Sequence, residues 1–256
     1  MTEGWMAVRV VTWNLWWRFG PWRERQKAVL SVLRDLRPDL VGLQEVWSAD
    51  GENLAEWLAG ELGLHWTWAP SPAPERWRRR IGDPSADIGN AVLSRWPVRE
   101  RAVLRLPVPA ELDDGRLALY ARTGPVSFLT AHLTSAPHAT AVRARQASAL
   151  AEFARRDGPV IVTGDFNAEP GSPELRPLAD GFRDAWAESG TTADAATWDW
   201  HPELPYRQKA LPEPVRIDHI RLAGPVTARA AHRAGDRPVD GTWPSDHAAV
   251  VADVDC

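Results

Sequence analysis

Short apolar runs alternate with amphipathic segments along the first quarter of the chain. Residues 8–14 and 39–45 are rich in β-branched and other apolar side chains, which predicts two buried strands. After the first strand, Pro21 is well placed to begin a helix, and apolar residues recur at helical spacing until Pro38. A second helix is predicted over about residues 52–62. This alternation of strand and helix predicts a layered α/β domain.

The middle of the chain is predicted to form strands followed by a helix. The predicted strands are residues 88–95, 98–106, 117–122 and 126–131, the last two forming a hairpin. An amphipathic helix follows over residues 137–156. Val142 and Leu150 belong to its predicted buried side, and Arg143 is placed away from that side with the other arginines.

Residues 69–86 interrupt this pattern with four prolines and a basic run that contains Arg76, Arg78, Arg79 and Arg80. The composition predicts a loop of unusual length for a compact domain. A solvated surface loop is the ordinary interpretation, and a flexible rim that contacts substrate phosphate is the alternative.

The last third is less regular. Short helical or irregular elements are predicted over residues 172–178 and 182–186, followed by an aromatic and proline-rich loop over residues 197–212. Residues 215–222 alternate apolar and polar side chains as a half-buried strand does. Further strands are predicted over residues 226–232 and 248–254.

Polar residues suited to metal and phosphate chemistry stand at the ends of the predicted strands. The clearest case is the apolar run 160–163, which leads into Gly164-Asp165-Phe166-Asn167. If strand geometry continues, a spacing of two places Asp165 and Asn167 on one side, with Phe166 turned into the core. A charged acceptor and a neutral donor aimed at one point suit a phosphoryl group beside a metal ion. The full set of such residues is Asn14, Glu45, His132, Asp165, Asn167, Asp218, Asp246 and His247.

Each of these residues has an ordinary structural explanation when it is taken alone. A lone histidine such as His132 is more often a hydrogen-bonded structural residue than a catalyst, and buried acids at strand ends commonly cap loops. Their recurrence at one strand end after another favours a shared site.

Composition narrows the possible partners without selecting one. The 256 residues include 25% charged residues and carry a net charge of -4, which neither demands nor excludes nucleic acid as a partner. The single cysteine, Cys256, permits no disulfide within one chain, so a metal ion must use oxygen or nitrogen ligands. The sequence has neither a recognisable signal peptide nor an apolar stretch of about 20 residues. We therefore expect a cytoplasmic protein without a membrane span, folded as a single domain over residues 1–256. The expected oligomeric state is a monomer, although nothing in the sequence determines it.

The chain resembles the endonuclease/exonuclease/phosphatase superfamily, the group that includes deoxyribonuclease I. The most specific part of the resemblance is Gly164-Asp165-Phe166-Asn167 together with Ser245-Asp246-His247. The other matching motifs, in the expected order, are Thr12-Trp13-Asn14, Leu43-Gln44-Glu45, Thr130-Ala131-His132-Leu133 and Arg216-Ile217-Asp218-His219-Ile220. The resemblance implies a four-layer α/β/β/α sandwich of two mixed β-sheets, with a site for phosphoester hydrolysis at one end of the sheets.

The resemblance also implies a role for each strand-end residue. The implied ligands of Mg²⁺ or Mn²⁺ are Glu45, Asp246 and Asn14. The implied catalytic residues are His132, Asp165, Asn167, Asp218 and His247. Among these, Asp218 would orient His247, and His132 and Asn167 would donate hydrogen bonds to phosphate oxygens. Whether Asp165 or His247 acts as the general base stays open.

The substrate is expected to be a phosphodiester of nucleic acid or nucleotides. The candidate substrate contacts are Trp16, Arg18, Asn90, Trp198 and Trp200. Aromatic side chains stack on nucleobases, but they also pack against lipids, sugars or simply other loops. The alternatives are therefore a phospholipase C-like or sphingomyelinase-like esterase and a phosphatase for small phosphomonoesters. A binding or scaffold protein that has kept the fold without activity is the alternative outside enzymology.

Overall fold

The computed structural model describes residues 5–198, 201, 204 and 213–256. Within them the strands are β1 (Ala7–Asn14), β2 (Leu40–Ala49), β3 (Glu52–Asn53), β4 (His65–Pro70), β5 (Asp87–Ser94), β6 (Val98–Arg105), β7 (Leu117–Thr123), β8 (Val126–His132), β9 (Val160–Asp165), β10 (Arg183–Asp184), β11 (Asp218–Ala223), β12 (Thr227–Ala234) and β13 (Ala249–Asp255). The α-helices are α1 (Trp22–Leu36), α2 (Leu54–Leu62), α3 (Glu75–Ile81), α4 (Thr140–Phe153), α5 (Arg176–Ala179) and α6 (Ala185–Glu188).

The strands form two mixed sheets. The first sheet has the order β12-β13-β1-β2-β5-β4, with β3 paired to β2, and the second has the order β10-β11-β9-β8-β7-β6. In each sheet one central pair is parallel, β1 with β2 and β8 with β9, while the other pairs are antiparallel. Both parallel strands of each pair therefore end at the same edge of their sheet.

The two sheets pack face to face, and helices cover their outer faces. The inner core joins residues of the first sheet, such as Val10 and Val92, to residues of the second, such as Phe128 and Ile161. On the outside, α1 and α2 pack against the first sheet, and α4 packs against the second. This four-layer α/β/β/α sandwich is the architecture that the family resemblance implied, which confirms that expectation.

Local sequence accounts for the helix ends. The side chain of Asn53 accepts hydrogen bonds from the backbone N–H groups of Ala55 and Glu56 at the start of α2. Gly63 ends α2 in the left-handed conformation that glycine adopts without strain. The described part of the chain contains no helix long and apolar enough to cross a membrane.

The prediction of a continuous loop over residues 69–86 is wrong. This segment begins with the end of β4 and contains the whole of α3. Trp77 is buried, and its indole N–H donates to the Asp114 carbonyl at 2.9 Å, so a residue far along the chain fixes the helix. In the sequence, the arginines and prolines of this segment indicate a loop, and nothing in the local pattern indicates that Trp77 is buried.

The topology brings the strand-end polar residues to one end of the sandwich. Asn14 ends β1, and Glu45 lies in the neighbouring parallel strand β2. In the second sheet His132 and Asp165 end the parallel strands β8 and β9 side by side, and Asp218 begins the antiparallel strand β11 opposite Asp165. The site therefore forms where the two sheets meet at this end.

Candidate active site

A pocket of about 490 Å³ lies at this end of the sandwich. Its polar lining includes Asn14, Glu45, His132, Asp165, Asn167, Asp246 and His247, and its aromatic lining consists of Trp16, Phe19, Trp77 and Trp198. Asp218 is fully buried behind the pocket wall, in contact with His247. The structure thus brings together all eight strand-end residues that the sequence singled out.

Asp165 is the centre of the hydrogen-bond network in the pocket. Its Oδ2 atom accepts a hydrogen bond from Asn14 at 3.0 Å and lies 3.3 Å from His132 Nε2 and 3.8 Å from His247 Nε2. Its Oδ1 atom accepts the backbone N–H of Asn167 at 2.9 Å. Burial works to raise the pKa of Asp165, but the charges of His132 and His247 outweigh it and lower that pKa below its usual range. Asp165 is therefore a carboxylate surrounded by donors.

His247 is held between two carboxylates. Its Nδ1 atom donates to Asp218 Oδ2 at 2.9 Å, while its Nε2 atom lies on the side of Asp165. Burial opposes a charge on His247, but the charges of Asp218 and Asp165 dominate and hold its pKa well above the usual value. Because Asp218 retains the proton on Nδ1, Nε2 is the nitrogen that can exchange a proton with a group in the pocket.

Asn167 enters the pocket through a turn. Strand geometry was expected to continue from Asp165 to Asn167, but β9 ends at Asp165 and Asn167 has a φ of 49°, in the left-handed region. Its side-chain N–H donates to the Leu133 carbonyl at 3.0 Å, which fixes the amide beside the end of β8. Phe166 is fully buried and stacks on His219 with the ring centroids 5.0 Å apart. The turn, and not a strand, places the acid and the amide in one pocket.

Glu45 lies at a bulge in β2. The pairing of β2 with β5 shifts register between Leu43 and Val46, and Glu45 has a φ of 53°. A left-handed conformation costs about 1–3 kcal/mol for a residue other than glycine, and such strain concentrates at functional sites. The Oε2 atom of Glu45 is buried and has no hydrogen-bond partner within the described residues. A buried carboxylate oxygen without a donor is expensive, so this position fits a cation.

Asp246 lies close enough to Glu45 for their charges to interact. Burial raises the pKa of Asp246 to about 7; the charge of His247 opposes the rise, and the charge of Glu45 adds to it. Asn14 Oδ1 accepts the Trp16 backbone N–H at 3.0 Å and keeps a second lone pair. Two mutually repelling carboxylates and an amide oxygen are the hard oxygen donors that Mg²⁺ and Mn²⁺ prefer. The residues present therefore fit a divalent metal ion.

A second group of potential ligands lies beside this set. Possible ligand atoms of Asp165, Asp218 and His247 all lie within 4.8 Å of one another. However, the contact between His247 and Asp218 is a 2.9 Å hydrogen bond, so a metal ion bound there would have to displace it. Glu45 instead presents a carboxylate oxygen that needs a partner. Glu45, with Asp246 near enough for their charges to interact, is therefore the better candidate for a metal ligand.

Arg25 supports the site, although the sequence analysis did not single it out. It lies in α1, is only 2% exposed, and contributes hydrogen bonds of 2.8–3.1 Å to five backbone carbonyls. Four of these carbonyls belong to residues 15–20, which we call the aromatic loop, and the fifth belongs to Pro244. Arg25 therefore joins the aromatic loop to the segment that carries Asp246. The pattern of apolar and polar residues cannot reveal this role of Arg25, because its partners are backbone carbonyls.

The placement of Arg143 away from the buried side of its helix is wrong. Arg143 is 6% exposed, donates to the Glu174 carboxylate at 3.2–3.3 Å, and donates to the Ala136 carbonyl at 2.9 Å. It also lines the pocket. A guanidinium can be buried when its donors are satisfied, and here the partners come from outside α4. The helical pattern alone could not reveal them.

The structure gives four different outcomes for the predicted substrate contacts. Trp16 and Trp198 line the pocket. Arg18 is not part of that lining and instead forms a 2.6 Å ion pair with Asp83. Asn90 donates to the Leu117 carbonyl at 3.0 Å and lines a small adjoining cavity of about 20 Å³ with Glu45 and His132. Trp200 lies outside the described residues.

Comparison with solved structures shows the same fold in other proteins. In solved structures the fold is similar to that of TDP2 from Caenorhabditis elegans, with a TM-score of 0.76, 20% identity, and coverage of 98% of this chain and 75% of that chain. A functionally unknown conserved protein from Enterococcus faecalis V583 gives a TM-score of 0.75 and 19% identity, with coverage of 96% and 98%. The human nocturnin catalytic domain with bound sulfate anion gives a TM-score of 0.72 and 20% identity, with coverage of 97% and 94%.

No sequence among the curated proteins matches this chain. The model of the Endonuclease/Exonuclease/phosphatase family, however, matches residues 11–247. This range runs from β1 to His247 and so includes every strand-end residue of the pocket. The chain belongs to the endonuclease/exonuclease/phosphatase family.

Proposed function

We propose that this protein is a Mg²⁺- or Mn²⁺-dependent phosphodiesterase that hydrolyses bonds in nucleic acid or nucleotides. Hydrolases of its family act on phosphoester bonds and are generally dependent on divalent metals. One observation supports the proposal above all. A single pocket contains carboxylates suited to a metal ion and a histidine that contacts two further carboxylates. The central members are Glu45, Asp165 and His247.

Glu45 and Asp246 would hold the metal ion, and Asn14 would contribute through its amide oxygen. When bound, a divalent ion neutralises charge on the phosphate and on the leaving oxygen. The protein prepares this position in advance, because the bulge in β2 turns Glu45 into the pocket and Arg25 ties Pro244 to the aromatic loop. Such preparation reduces the rearrangement needed during catalysis.

Asp165 and His247 would handle the proton of the attacking water as a coupled pair. Their nearest polar atoms are 3.8 Å apart, so a water molecule beside both can donate to the carboxylate while the imidazole lies next to it. Asp218 stabilises the charged imidazole and fixes its orientation. The protonation steps belong to the pair as a unit, which is why neither residue is assigned as the base alone.

His132 and Asn167 would stabilise the charge that develops on the phosphate oxygens. The side chains of both residues line the pocket beside Asp165, and each is fixed by a contact with the protein. Donors held in place before the reaction stabilise a transition state more effectively than mobile donors do. Loss of one such donor typically lowers the rate by about 10²–10³.

The preference for a nucleic acid or nucleotide substrate is supported by the aromatic lining of the pocket. Trp16, Phe19, Trp77 and Trp198 surround the phosphate-handling groups, and Arg80 adds a positive charge to the same wall. Planar bases stack on such rings, and the neighbouring phosphates are attracted to arginine. We therefore favour a nucleic acid or nucleotide over a lipid or a small sugar phosphate.

Hydrolysis of bis-p-nitrophenyl phosphate with added Mg²⁺ or Mn²⁺ tests the proposal directly. The wild-type protein should hydrolyse this diester, EDTA should stop the reaction, and Asp165→Ala or His247→Ala should reduce the rate by at least about a thousandfold. His65→Ala, at an exposed histidine of β4, is the matched control and should keep wild-type activity. Circular dichroism should show that all variants are folded.

The opposite outcomes are equally specific. Substantial activity in Asp165→Ala or His247→Ala would contradict the assigned roles. A folded wild-type protein that hydrolyses neither the generic diester nor an oligonucleotide would favour a binding protein that has kept the fold without activity.

A further inference from the structure

The aromatic loop has an unusual backbone conformation, and hydrogen bonds from Arg25 hold it in place. Trp16 has a φ of 53° and Trp17 a φ of 40°, so two consecutive tryptophans adopt the left-handed conformation. Such a conformation persists in a bulky residue only when the surroundings impose it. Here Arg25 binds the carbonyls of both tryptophans, at 3.0 and 2.9 Å, and its guanidinium lies 4.8 Å from the Trp16 ring centroid. The loop is therefore fixed in a shape that its own residues disfavour.

This shape brings aromatic rings to the side of the catalytic pocket. Trp16 and Phe19 are partly exposed, line the pocket, and lie with their ring centroids 5.7 Å apart. Trp17 is buried beneath them and contacts Phe19 and Trp77 edge to face. The rings at the surface thus rest on a buried aromatic layer, which is the arrangement expected of a binding surface.

Helix α3 adds positive charge to the same wall. The Arg80 guanidinium lies 4.6 Å from the Phe19 ring centroid and 5.5 Å from that of Trp77, and Arg80 lines the pocket. Arg76 and Arg79 are exposed on the same short helix. Among the described residues, no carboxylate lies within ion-pair distance of Arg76, Arg79 or Arg80. These three residues, the α3 arginines, form a cationic edge in a chain whose net charge is -4.

We propose that the aromatic loop and α3 together form a subsite for the nucleotide next to the scissile phosphate in a single-stranded nucleic acid. One base stacks on the wall made by Trp16 and Phe19, and the phosphate beyond it lies against Arg80 and the other α3 arginines. This inference rests on the proposed phosphodiesterase function and names the substrate class of that same site.

The preference for single-stranded nucleic acid follows from how a base would stack on Trp16 and Phe19. A base within a duplex is already stacked on both faces by its neighbours, so it cannot lie flat on a protein ring without being extruded. An unpaired base can do so, and stacking on an aromatic side chain is worth about five- to 150-fold in binding per base. The arginines then bind the backbone of the same strand and make its binding dependent on salt.

The first test measures the coupling between Trp16 and one base. The substrate is a short DNA strand with one natural phosphodiester, flanked by phosphorothioate linkages that keep the charge but resist cleavage. An abasic residue replaces the base on either side of the natural bond in turn. We expect one of these two replacements to lower kcat/KM about tenfold in the wild-type protein and by less than about twofold in Trp16→Ala. Trp66→Ala, at a tryptophan that is 37% exposed on β4, should behave as the wild type does.

The second test uses Arg80, an exposed side chain whose loss leaves the core intact. For Arg80→Gln, the slope of log KM against log salt concentration on the same strand should fall by about 0.7, the value for one phosphate contact on a single strand. Arg156→Gln is the matched control, because Arg156 lies at the other end of β9, beside Val160, and should leave the slope unchanged.

Several results would overturn the subsite. They are an equal loss in wild type and Trp16→Ala on abasic substrates, an unchanged salt slope in Arg80→Gln, or faster cleavage of the same sequence in a duplex. Hydrolysis of bis-p-nitrophenyl phosphate by the wild-type protein is measured in parallel. If that hydrolysis fails, the proposed function fails; if it persists while the coupling is absent, only the subsite is wrong.

Discussion

Glu45 shows how a single residue carries local strain for a chemical purpose. Glu45 lies in a bulge of β2 with a φ of 53°, and one of its buried oxygens has no partner among the described residues. Both features lower the stability of the metal-free protein. The repulsion between Glu45 and Asp246, which contributes to the raised pKa of Asp246, adds to this cost. A bound cation would give the buried oxygen a partner and offset the repulsion between the two carboxylates, so the stability of the protein should report on metal binding.

Glu45→Ala should separate metal binding from folding. In the wild-type protein, Mg²⁺ at 100 times its dissociation constant should stabilise the fold by about 2.7 kcal/mol, seen as a rise in Tm. In Glu45→Ala that rise should largely disappear, while the metal-free variant should be no less stable than the metal-free wild type, because a buried unpaired carboxylate has been removed. Glu56→Ala, at an exposed position of α2, should keep the full response. An unchanged Mg²⁺ titration in Glu45→Ala would refute the ligand role.

At the scale of an element, β9 depends on close contact with β8. Gly164 has a φ of 152°, where glycine is favoured, and a Cβ atom built on it would lie 2.0 Å from the Ala131 carbonyl oxygen. Because Ala131 pairs with Gly164 in the register of the two strands, the neighbouring pair of His132 and Asp165 depends on this contact. Gly164 therefore allows the close pairing of β8 with β9 and, through it, sets the spacing between His132 and Asp165.

Gly164→Ala should damage both stability and activity. We expect the free energy of unfolding to fall by at least about 2 kcal/mol, since the added methyl group meets the backbone in a conformation that L-residues disfavour. The urea midpoint at constant m-value measures this loss. Gly171→Ala is the control: a Cβ atom there has no heavy atom within 4 Å, so its midpoint should match that of the wild type. Equal midpoints for the two variants would show that β8 and β9 can separate without cost.

At the scale of the whole molecule, buried ionisable groups outside the pocket make stability dependent on pH. His219 is fully buried, donates through Nε2 to the Ala168 carbonyl at 2.9 Å, and stacks on Phe166. Burial, followed by the charges of Arg221 and Arg216, lowers the pKa of His219 to about 3. The folded protein therefore holds this imidazole neutral at pH values where the unfolded chain protonates it.

The sign of the pH effect follows from this difference. Below the ordinary pKa of 6.5 the unfolded chain binds a proton that the folded protein does not, so stability should fall as pH falls from 6.5 toward about 3. The urea midpoint of the wild-type protein should therefore decline across this window, and it should decline less steeply in His219→Gln. His232→Gln, at an exposed histidine, should follow the wild-type curve. Parallel curves for all three proteins would contradict a buried neutral His219.

The sequence by itself determined the layers of the fold and the chemical groups of the site. Most strands and the helices α1, α2 and α4 follow from the period of apolar residues, which is a local property. The strand-end acids, amides and histidines could be found because each stands at or near one end of a predicted strand, and the resemblance to a family put them in one site. Glu45 and His247 were identified in this way.

Only the tertiary structure decided which distant atoms meet. The carbonyls bound by Arg25, the Glu174 partner of Arg143, and the contact that buries Trp77 in α3 all join segments that no local period connects. A polar side chain can be buried only where partners satisfy its donors, and those partners are set by the packing of whole layers. The sequence therefore indicated which chemical groups form the site, and the packing of the two sheets determined the distances between them.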